Sequence, residues 1–357
     1  QYGIKKALLT TSCTDALEMC AILANIQPGD EVIVPSYTFV SSALAFIRQG
    51  ANIIFADSRI DHPGIDENKI EKLITKKTKA IISVALYGLS PDYDKILEIC
   101  QRHNLYLIED NAEAFLAKYN NKYIGTFGHF ASFSFQASKH ITCGEGGMLV
   151  TNDTNLANKA RQFSSLGYAG VDSKKGKISK DDIQDPNYSR HVCIGFNYRM
   201  SELQAAVILG QLERSEELVN NRIKIARLFD EAIKDCDLLI RQFEPVNCQN
   251  TYWAYSLILN TKNPEEKWFK FRKLFVKNGG DSYYAAWKLS YNEPLFTEVI
   301  QKYPSVWQKY DQNLCPNAEY LQKRMIQLKT NYWDLSEAEK QAEILHKTIK
   351  EFKGRNK

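Results

Sequence analysis

The sequence predicts an α/β protein: a large domain with a mostly parallel sheet flanked by helices, followed by a smaller α+β C-terminal domain. Between residues 31 and 151, short apolar runs alternate with helical patterns at close spacing, which is typical of βαβ units. The chain has 357 residues, enough for about two domains, and 44% of them are hydrophobic, enough for a sizeable core. We expect the boundary near Leu228, which divides the chain into residues 1–228 and 229–357.

The predicted strands of the large domain are short apolar runs. They are residues 31–35, 52–56, 80–86, 105–109, 131–135 and 148–151. The predicted helices show apolar residues at helical spacing, and they cover residues 67–75, 92–103 and 155–163. Residues 200–235 predict one long helix with Ser201 as its N-cap.

The smaller domain begins after this long helix. Residues 252–259 predict a strand, and residues 265–277 and 336–352 predict helices. The aromatic segment 281–296 could fill the core, which we expect for most of its Tyr and Trp side chains, or it could form the wall of a binding site. The polar segment 167–192 is too long for an ordinary connection, and we interpret it as a surface loop.

Charge and cysteine usage exclude several classes of partner. The net charge of +4 is small for this length and no long block of one sign occurs, so we expect neither nucleic acid nor an anionic membrane as a partner. The longest uncharged run, residues 32–47, contains a proline and several hydroxyl groups, which excludes a membrane span. The eight cysteines lack a C-x-x-C pair and a histidine at ligand spacing, so we expect no metal site and a reducing cytoplasm.

The candidate catalytic lysine is Lys139, within the segment SFSFQASKHITCGEGG of residues 132–147. An alternating aromatic run carries Ser134 and then Lys139 into a turn, and a glycine-rich stretch follows. A single lysine is usually a solvated surface residue, so its role depends on the other groups that the fold brings to it.

Two other segments supply such groups. LYLIED, residues 105–110, is a predicted strand that ends in Asp110, and open α/β sheets bind ligands at the carboxyl ends of their strands. TTSCTDALEM, residues 10–19, places hydroxyl residues before a helix, whose free N–H groups suit a phosphate. Pyridoxal 5'-phosphate (PLP) requires an amine to hold it covalently, an anion for its pyridinium nitrogen and donors for its phosphate. The combination therefore predicts a PLP site.

Five ordered blocks within about residues 8 to 215 carry a resemblance to a known family. They are SCTDALEM, GDEVIVPSYTFVSSA, IEDNAEAF, SFSFQASKHITCGEGG and GFNYRMSELQAA. In them the chain resembles the sugar aminotransferases of the DegT/DnrJ/EryC1/StrS family, which are PLP enzymes of fold type I. The resemblance implies transfer of the amino group of glutamate, which leaves as 2-oxoglutarate, to a nucleotide-linked 4-keto-6-deoxy sugar. Segment 167–192 matches an insertion that borders the sugar-nucleotide site in this family.

The resemblance also implies roles for individual residues around the cofactor. Lys139 would hold PLP and move a proton, and Asp110 would pair with its ring nitrogen. The phosphate would be bound by the turn at Thr14 and Asp15 and by the Ser134 hydroxyl group. Phe39 would stack on the ring.

The resemblance also implies how subunits assemble, and it shows where this sequence departs from the family pattern. Glu113 occupies a position near O3' of the cofactor that is often Gln or His, which leaves the role of an acid there open. Asn197 and Arg199 match a segment that reaches the cofactor phosphate of the neighbouring subunit, which implies a homodimer with shared active sites. Family members carry a segment before the first block that we expect to be missing here, because the chain begins at Gln1.

Three alternatives stay open. The acceptor could be a 3-keto sugar, or the protein could be a PLP-dependent sugar dehydratase, or it could be a non-catalytic PLP-binding homologue. In the dehydratase branch of the family a histidine replaces the lysine, and His140 is a rival base here. The spacing from Ser134 to Lys139 nevertheless matches the branch that retains the lysine.

Overall fold

The computed structural model describes residues 2–169, 181, 184–282, 287–302, 310 and 313–354. Much of the segment 167–192, namely residues 170–180, 182 and 183, lies outside this set. So do residues 283–286 of the aromatic segment 281–296.

The predicted α/β architecture with a mostly parallel sheet is confirmed. The central strands are β1 (Lys6–Thr10), β2 (Glu31–Pro35), β3 (Asn52–Ala56), β4 (Thr78–Val84), β5 (Tyr106–Asp110), β8 (Phe130–Ser134) and β9 (Gly147–Thr151), in the order β1-β9-β8-β5-β4-β2-β3. The pairs β3–β2, β2–β4, β4–β5 and β5–β8 are parallel, whereas β9 runs antiparallel to both β8 and β1. Short strands β6 (Lys118–Tyr119), β7 (Lys122–Tyr123) and β11 (Cys248–Gln249) form a small separate sheet.

Helices of the first half pack on this sheet and begin at polar caps. They are α1 (Cys13–Leu23), α2 (Ser41–Ile47), α3 (Glu67–Ile70), α4 (Tyr93–His103) and α5 (Thr154–Ser164). Ser12, Asp92 and Asp153 accept N–H groups from the first turns of α1, α4 and α5, as N-cap side chains do. The capping of α1 matters most, because this helix begins beside the candidate site.

The prediction of one helix over residues 200–235 is wrong. The chain forms α6 (Glu202–Glu213) and α7 (Ser215–Ala232), which are interrupted at Arg214, where φ is −108° and ψ is 9°. Most of α6 is exposed, whereas α7 buries Ile225 and Phe229 in a core, so the two helices face different surroundings. Ser201 caps α6 in a capping box with Gln204, as predicted for the N-cap.

The C-terminal part consists of an antiparallel sheet covered by helices. Its strands are β10 (Leu239–Arg241), β12 (Ala254–Leu259) and β13 (Met325–Lys329), and its helices are α8 (Pro264–Lys277), α9 (Pro316–Gln322) and α10 (Leu335–Gly354). A core cluster between Ile225 and Phe352 joins α7 to this sheet. The proposed boundary near Leu228 falls within α7, and the division into two domains stays a prediction.

None of the helices in the described part of the chain has the length and apolar character needed to cross a membrane.

A close approach of two chain segments fixes the connection after β4. Gly88 adopts a φ of +104°, and a Cβ atom added to it would lie 2.4 Å from the main-chain nitrogen of Tyr252. The preceding Tyr87 also has a positive φ, 57°, and its carbonyl accepts the N–H of Trp253 at 2.9 Å. This contact brings residues 252 and 253 of the C-terminal part against the large sheet.

We predict that Gly88→Ala destabilises the protein much more than Gly29→Ala. Gly29 has a similar φ of +95° but open space around the added Cβ, so its substitution should cost only the backbone strain, about 1–2 kcal/mol. At Gly88 the clash with Tyr252 adds to that strain, and we expect a loss of about 3 kcal/mol or more. Urea unfolding of both variants measures the difference, and equal losses would contradict this account.

Candidate active site

A cavity of about 460 Å³ opens at the carboxyl ends of three neighbouring parallel strands, beside the first turn of α1. Val84, Asp110 and Ser134, the last residues of β4, β5 and β8, all line it. Such a crevice is where α/β sheets commonly bind ligands. Six of the predicted site residues line this cavity: Thr14, Phe39, Asp110, Glu113, Ser134 and Lys139.

The amine of Lys139 lies between a carboxylate and an aromatic face. Its Nζ is 3.3 Å from Oε1 of Glu113 and 4.5 Å from the ring centre of Trp253. The side chain is only 15% exposed. The amine thus makes an ion pair with Glu113 and a cation–π contact with Trp253.

Hydrogen bonds to its main chain hold the turn that carries Lys139. The indole N–H of Trp253 donates to the Ser138 carbonyl at 3.0 Å, and Arg222 donates to the Lys139 carbonyl at 3.0 Å. Arg222 is 5% exposed and lies on α7, 83 residues away in sequence. The sequence interpretation missed both Trp253 and Arg222, because nothing in their local pattern distinguishes them from core residues.

Asp110 is buried at the end of β5. Its Oδ2 accepts the hydroxyl group of Ser42 at 2.7 Å, and its Oδ1 accepts the N–H of Ala112 at 3.2 Å. Burial raises the pKa of the Asp110 carboxyl group, whereas these two hydrogen bonds and the charge of Lys139 act in the opposite direction. A positively charged group in the cavity would therefore favour the carboxylate further.

Glu113 follows Asp110 by three residues and is equally buried. Its Oε1 faces Lys139, while its Oε2 accepts the main-chain N–H of Tyr87 at 3.1 Å. Burial raises the pKa of Glu113, and Lys139 opposes that rise. The acid that departs from the family pattern is thus bound directly to the candidate catalytic amine.

The first turn of α1 offers main-chain donors at one wall of the cavity. Ser12 accepts the N–H of Asp15 at 3.1 Å, whereas the N–H groups of Cys13 and Thr14 have no hydrogen-bond partner among the residues described. The Thr14 hydroxyl group lies 2.9 Å from that of Ser41. Free N–H groups and hydroxyl groups at a helix start are suited to bind a phosphate.

Gly147 makes room for this turn, because a Cβ atom there would lie 2.3 Å from the main chain of Ser12. Asp15 lies in the same turn but does not line the cavity; its carboxylate accepts the hydroxyl group of Thr11. Ser134 lines the cavity and its Oγ accepts the N–H of Gln136 at 3.3 Å.

Aromatic side chains form another part of the cavity lining. Phe39 is 58% exposed, and its ring lies 6.2 Å from that of Trp287. Trp287 also packs on Trp253, with 6.4 Å between the ring centres. The aromatic segment 281–296 therefore contributes at least one ring to the site, as one of its two interpretations expected.

Asn197 and Arg199 are exposed and do not line the cavity of their own chain. They pair with Ser165 and Thr10 in isolated bridges, and the Tyr198 carbonyl between them accepts the N–H of Thr11 at 3.1 Å. The structure thus places this segment next to the start of α1.

The rival base His140 faces away from the cavity. Its Nε2 donates to the carbonyl of Thr251 at 2.9 Å, and burial together with the charge of Arg222 lowers its pKa well below the usual value. Among the described residues, no group of three or more His, Cys, Asp and Glu side chains is placed to hold a metal ion.

Comparisons with known proteins agree with this arrangement. A sequence model of the DegT/DnrJ/EryC1/StrS aminotransferase family matches residues 1–348. GDP-perosamine synthase of Escherichia coli O157:H7 is 35% identical over 304 residues, which are 85% of this chain and 78% of that protein.

Solved structures give the same result. The aminotransferase of Psychrobacter cryohalolentis superimposes with a TM-score of 0.87 and 25% identity, over 98% of this chain and 89% of that one. Helicobacter pylori PseC, an aminotransferase involved in the biosynthesis of pseudoaminic acid, superimposes with a TM-score of 0.81 and 28% identity, over 98% of this chain and 88% of that one.

We predict that Asp110→Asn stabilises the cofactor-free protein at neutral pH by about 1 kcal/mol, the usual scale of single substitutions. Burial raises the pKa of Asp110 above its unfolded value. The folded wild type therefore loses stability as the pH rises from the unfolded pKa through the folded pKa, and the amide removes this loss. The gain should vanish below about pH 3, where the carboxyl group is protonated in both states. Urea unfolding across pH tests this, with Asp153→Asn as control, because Asn caps α5 as well as Asp does. A gain that does not depend on pH would exclude the carboxylate as its cause.

Proposed function

Because this chain belongs to the DegT/DnrJ/EryC1/StrS aminotransferase family, we propose that it transfers the amino group of glutamate to the ketone of a nucleotide-linked 4-keto-6-deoxy sugar. The family is PLP-dependent, and the chain is a sugar aminotransferase by its relatives. The observation that carries the proposal is the Lys139 amine, held in a crevice that also contains Asp110 and the free first turn of α1. The choice of a nucleotide-linked sugar is supported by the likeness to GDP-perosamine synthase.

The residues present fit PLP. The main-chain N–H groups of Cys13 and Thr14, with the hydroxyl groups of Thr14 and Ser134, would hold the phosphate, and Asp110 would pair with the ring nitrogen. Lys139 would hold the cofactor covalently, and Phe39 would cover its ring. When bound, PLP supplies an electron sink that makes the carbon–hydrogen bond of the amino donor acidic.

The protein's own groups then have defined tasks. Lys139 moves a proton at its Nζ, and the ring of Trp253 covers one side of that atom. A cationic partner offsets the cost of keeping the Asp110 carboxylate buried. Glutamate and the sugar ketone use the same site in turn, which requires ping-pong kinetics. Segments 167–192 and 281–296 would select the sugar.

We also propose a homodimer with shared active sites, in which Asn197 and Arg199 reach the partner's cofactor phosphate. These two residues lie between exposed apolar side chains: Ile194 is 86% exposed and Leu203 is 83% exposed. Val207 and Leu209 continue the exposed apolar surface along α6. A patch of this kind on an otherwise charged protein favours burial against a second copy.

A cytoplasmic location completes the proposal. All eight cysteines are free thiols, which is the state that a reducing compartment maintains.

We predict that the protein with PLP and glutamate aminates a nucleotide-linked 4-keto-6-deoxy sugar and releases 2-oxoglutarate in equal amount. Lys139→Ala should lower turnover by several orders of magnitude, because it removes a covalent catalyst. The control is Lys159→Ala on exposed α5, which should keep full activity. Product mass and 2-oxoglutarate release measure the reaction, and borohydride reduction followed by peptide mapping should find the cofactor on Lys139. Activity on ordinary 2-oxo acids alone would overturn the sugar assignment.

For the dimer, we predict that mixing inactive Lys139→Ala with inactive Arg199→Ala restores about a quarter of wild-type activity. Random exchange makes half of the dimers hybrid, and one of the two sites in each hybrid has both groups. Light scattering or labelled subunits must show that exchange occurred. Complete exchange without recovery would place the function of Arg199 within its own subunit.

A further inference from the structure

We propose that Glu113 is the proton partner of Lys139: it takes the proton from the Lys139 ammonium group and returns it, so that the amine becomes neutral without releasing its proton to water. The inference rests on the proposed function, since it concerns the same amine. In this proposal Glu113 acts through Lys139. This role differs from a contact with the cofactor ring, which the resemblance implied.

The geometry divides the two oxygens of Glu113 between separate partners. Oε1 lies 3.3 Å from Nζ of Lys139, and Oε2 accepts the main-chain N–H of Tyr87 at 3.1 Å. The Tyr87 donor cannot rotate away, because the turn at residues 87 and 88 is pressed against Tyr252. One oxygen therefore anchors the carboxyl group while the other faces the amine.

The exchange conserves charge inside the protein. An N–H bond of the Lys139 ammonium group breaks and an O–H bond forms at Oε1 of Glu113, so an ion pair becomes a neutral amine and a neutral carboxylic acid. The net charge of the pair is zero before and after. Release of the proton to water would instead leave an unpaired carboxylate in a residue that is only 5% exposed, which is costly. Burial also raises the pKa of Glu113, which favours the protonated carboxyl group.

The other titratable groups around this pair are poorly suited to the role. Asp110 already accepts the Ser42 hydroxyl group and the Ala112 N–H. Burial raises the pKa of the Cys13 thiol and raises that of Tyr37 to about 12.

Three further groups lie near the pair, and their charges stay constant near neutral pH. Burial raises the pKa of Tyr87, and it lowers that of His140, which is bonded to Thr251. Arg222 remains a cation bonded to main-chain carbonyls. Among the residues described, Glu113 is the carboxylate paired with Lys139.

Trace acetylation of the cofactor-free protein tests the proposal, because only an unprotonated amine reacts. The rate at Lys139 is followed by peptide mass spectrometry from about pH 6 to pH 10, relative to the exposed Lys340 in the same sample. Glu113→Gln keeps the shape of the side chain but removes the negative charge that stabilises the protonated amine. We expect it to raise the Lys139 rate at pH 8 about tenfold, the scale expected for an opposite charge at this distance.

The matched control is Glu145→Gln, which neutralises another carboxylate lining the cavity and should change the rate less than about twofold. Glu113→Asp retains the charge on a shorter side chain and should give an intermediate rate. If Glu113→Gln fails to fold, Glu113→Asp carries the test, because it still withdraws the carboxylate from the amine. A Lys139 rate equal to wild type in whichever variant folds would overturn the proposal.

The labelling uses neither PLP nor a sugar, so its outcome is independent of the assay for the proposed function. A failed sugar assay with a tenfold labelling change would leave the charge coupling between Glu113 and Lys139 standing and remove only the assigned reaction. In the active enzyme, Glu113→Gln should also change the pH profile of turnover, which a merely structural role would not alter.

Discussion

The arrangement around the reactive amine depends on the buried guanidinium group of Arg222. It donates to the carbonyls of Lys139 and Trp253 and to the hydroxyl group of Thr330, and so it joins three distant stretches of chain. Burying a charge costs free energy unless its donors are satisfied, and here several acceptors are in place. The positions of the lysine turn and of the indole ring over its amine are therefore set by a helix, α7, that does not line the 460 Å³ cavity.

Two neighbouring acidic residues at the end of β5 have different roles, one in holding a loop and one in the candidate site. Successive side chains of a strand point to opposite faces, so Glu109 and Asp110 face different surroundings. Glu109 accepts the N–H groups of Gly125, Phe127 and Gly128 and fixes that loop. Asp110 faces the cavity instead. One carboxylate holds the scaffold and the other is available to a ligand.

Local patterns were enough to predict much of this molecule. Strands 31–35 and 52–56 have the predicted bounds, because a buried parallel strand is a continuous apolar run between turn residues. Asp110 was predicted because it ends such a strand, and Lys139 because it lies in the turn after one. Trp253 and Arg222 were missed because their partners lie 115 and 83 residues away, a relation that no local pattern records. The interruption at Arg214 was missed because both flanking segments favour helix, and only their different packing separates them.

The attachment of the segment around Tyr198 has a consequence for how the protein retains its cofactor. The Tyr198 hydroxyl group donates to Glu18 of α1, and its carbonyl accepts the N–H of Thr11, directly before that helix. A surface that would meet a second subunit is thus bonded to the turn that would bind the phosphate. In the proposed dimer, association and cofactor retention would then be thermodynamically linked, so that each would strengthen the other by the same factor. Dilution that separates the subunits would release the cofactor, and added cofactor would draw the subunits together again.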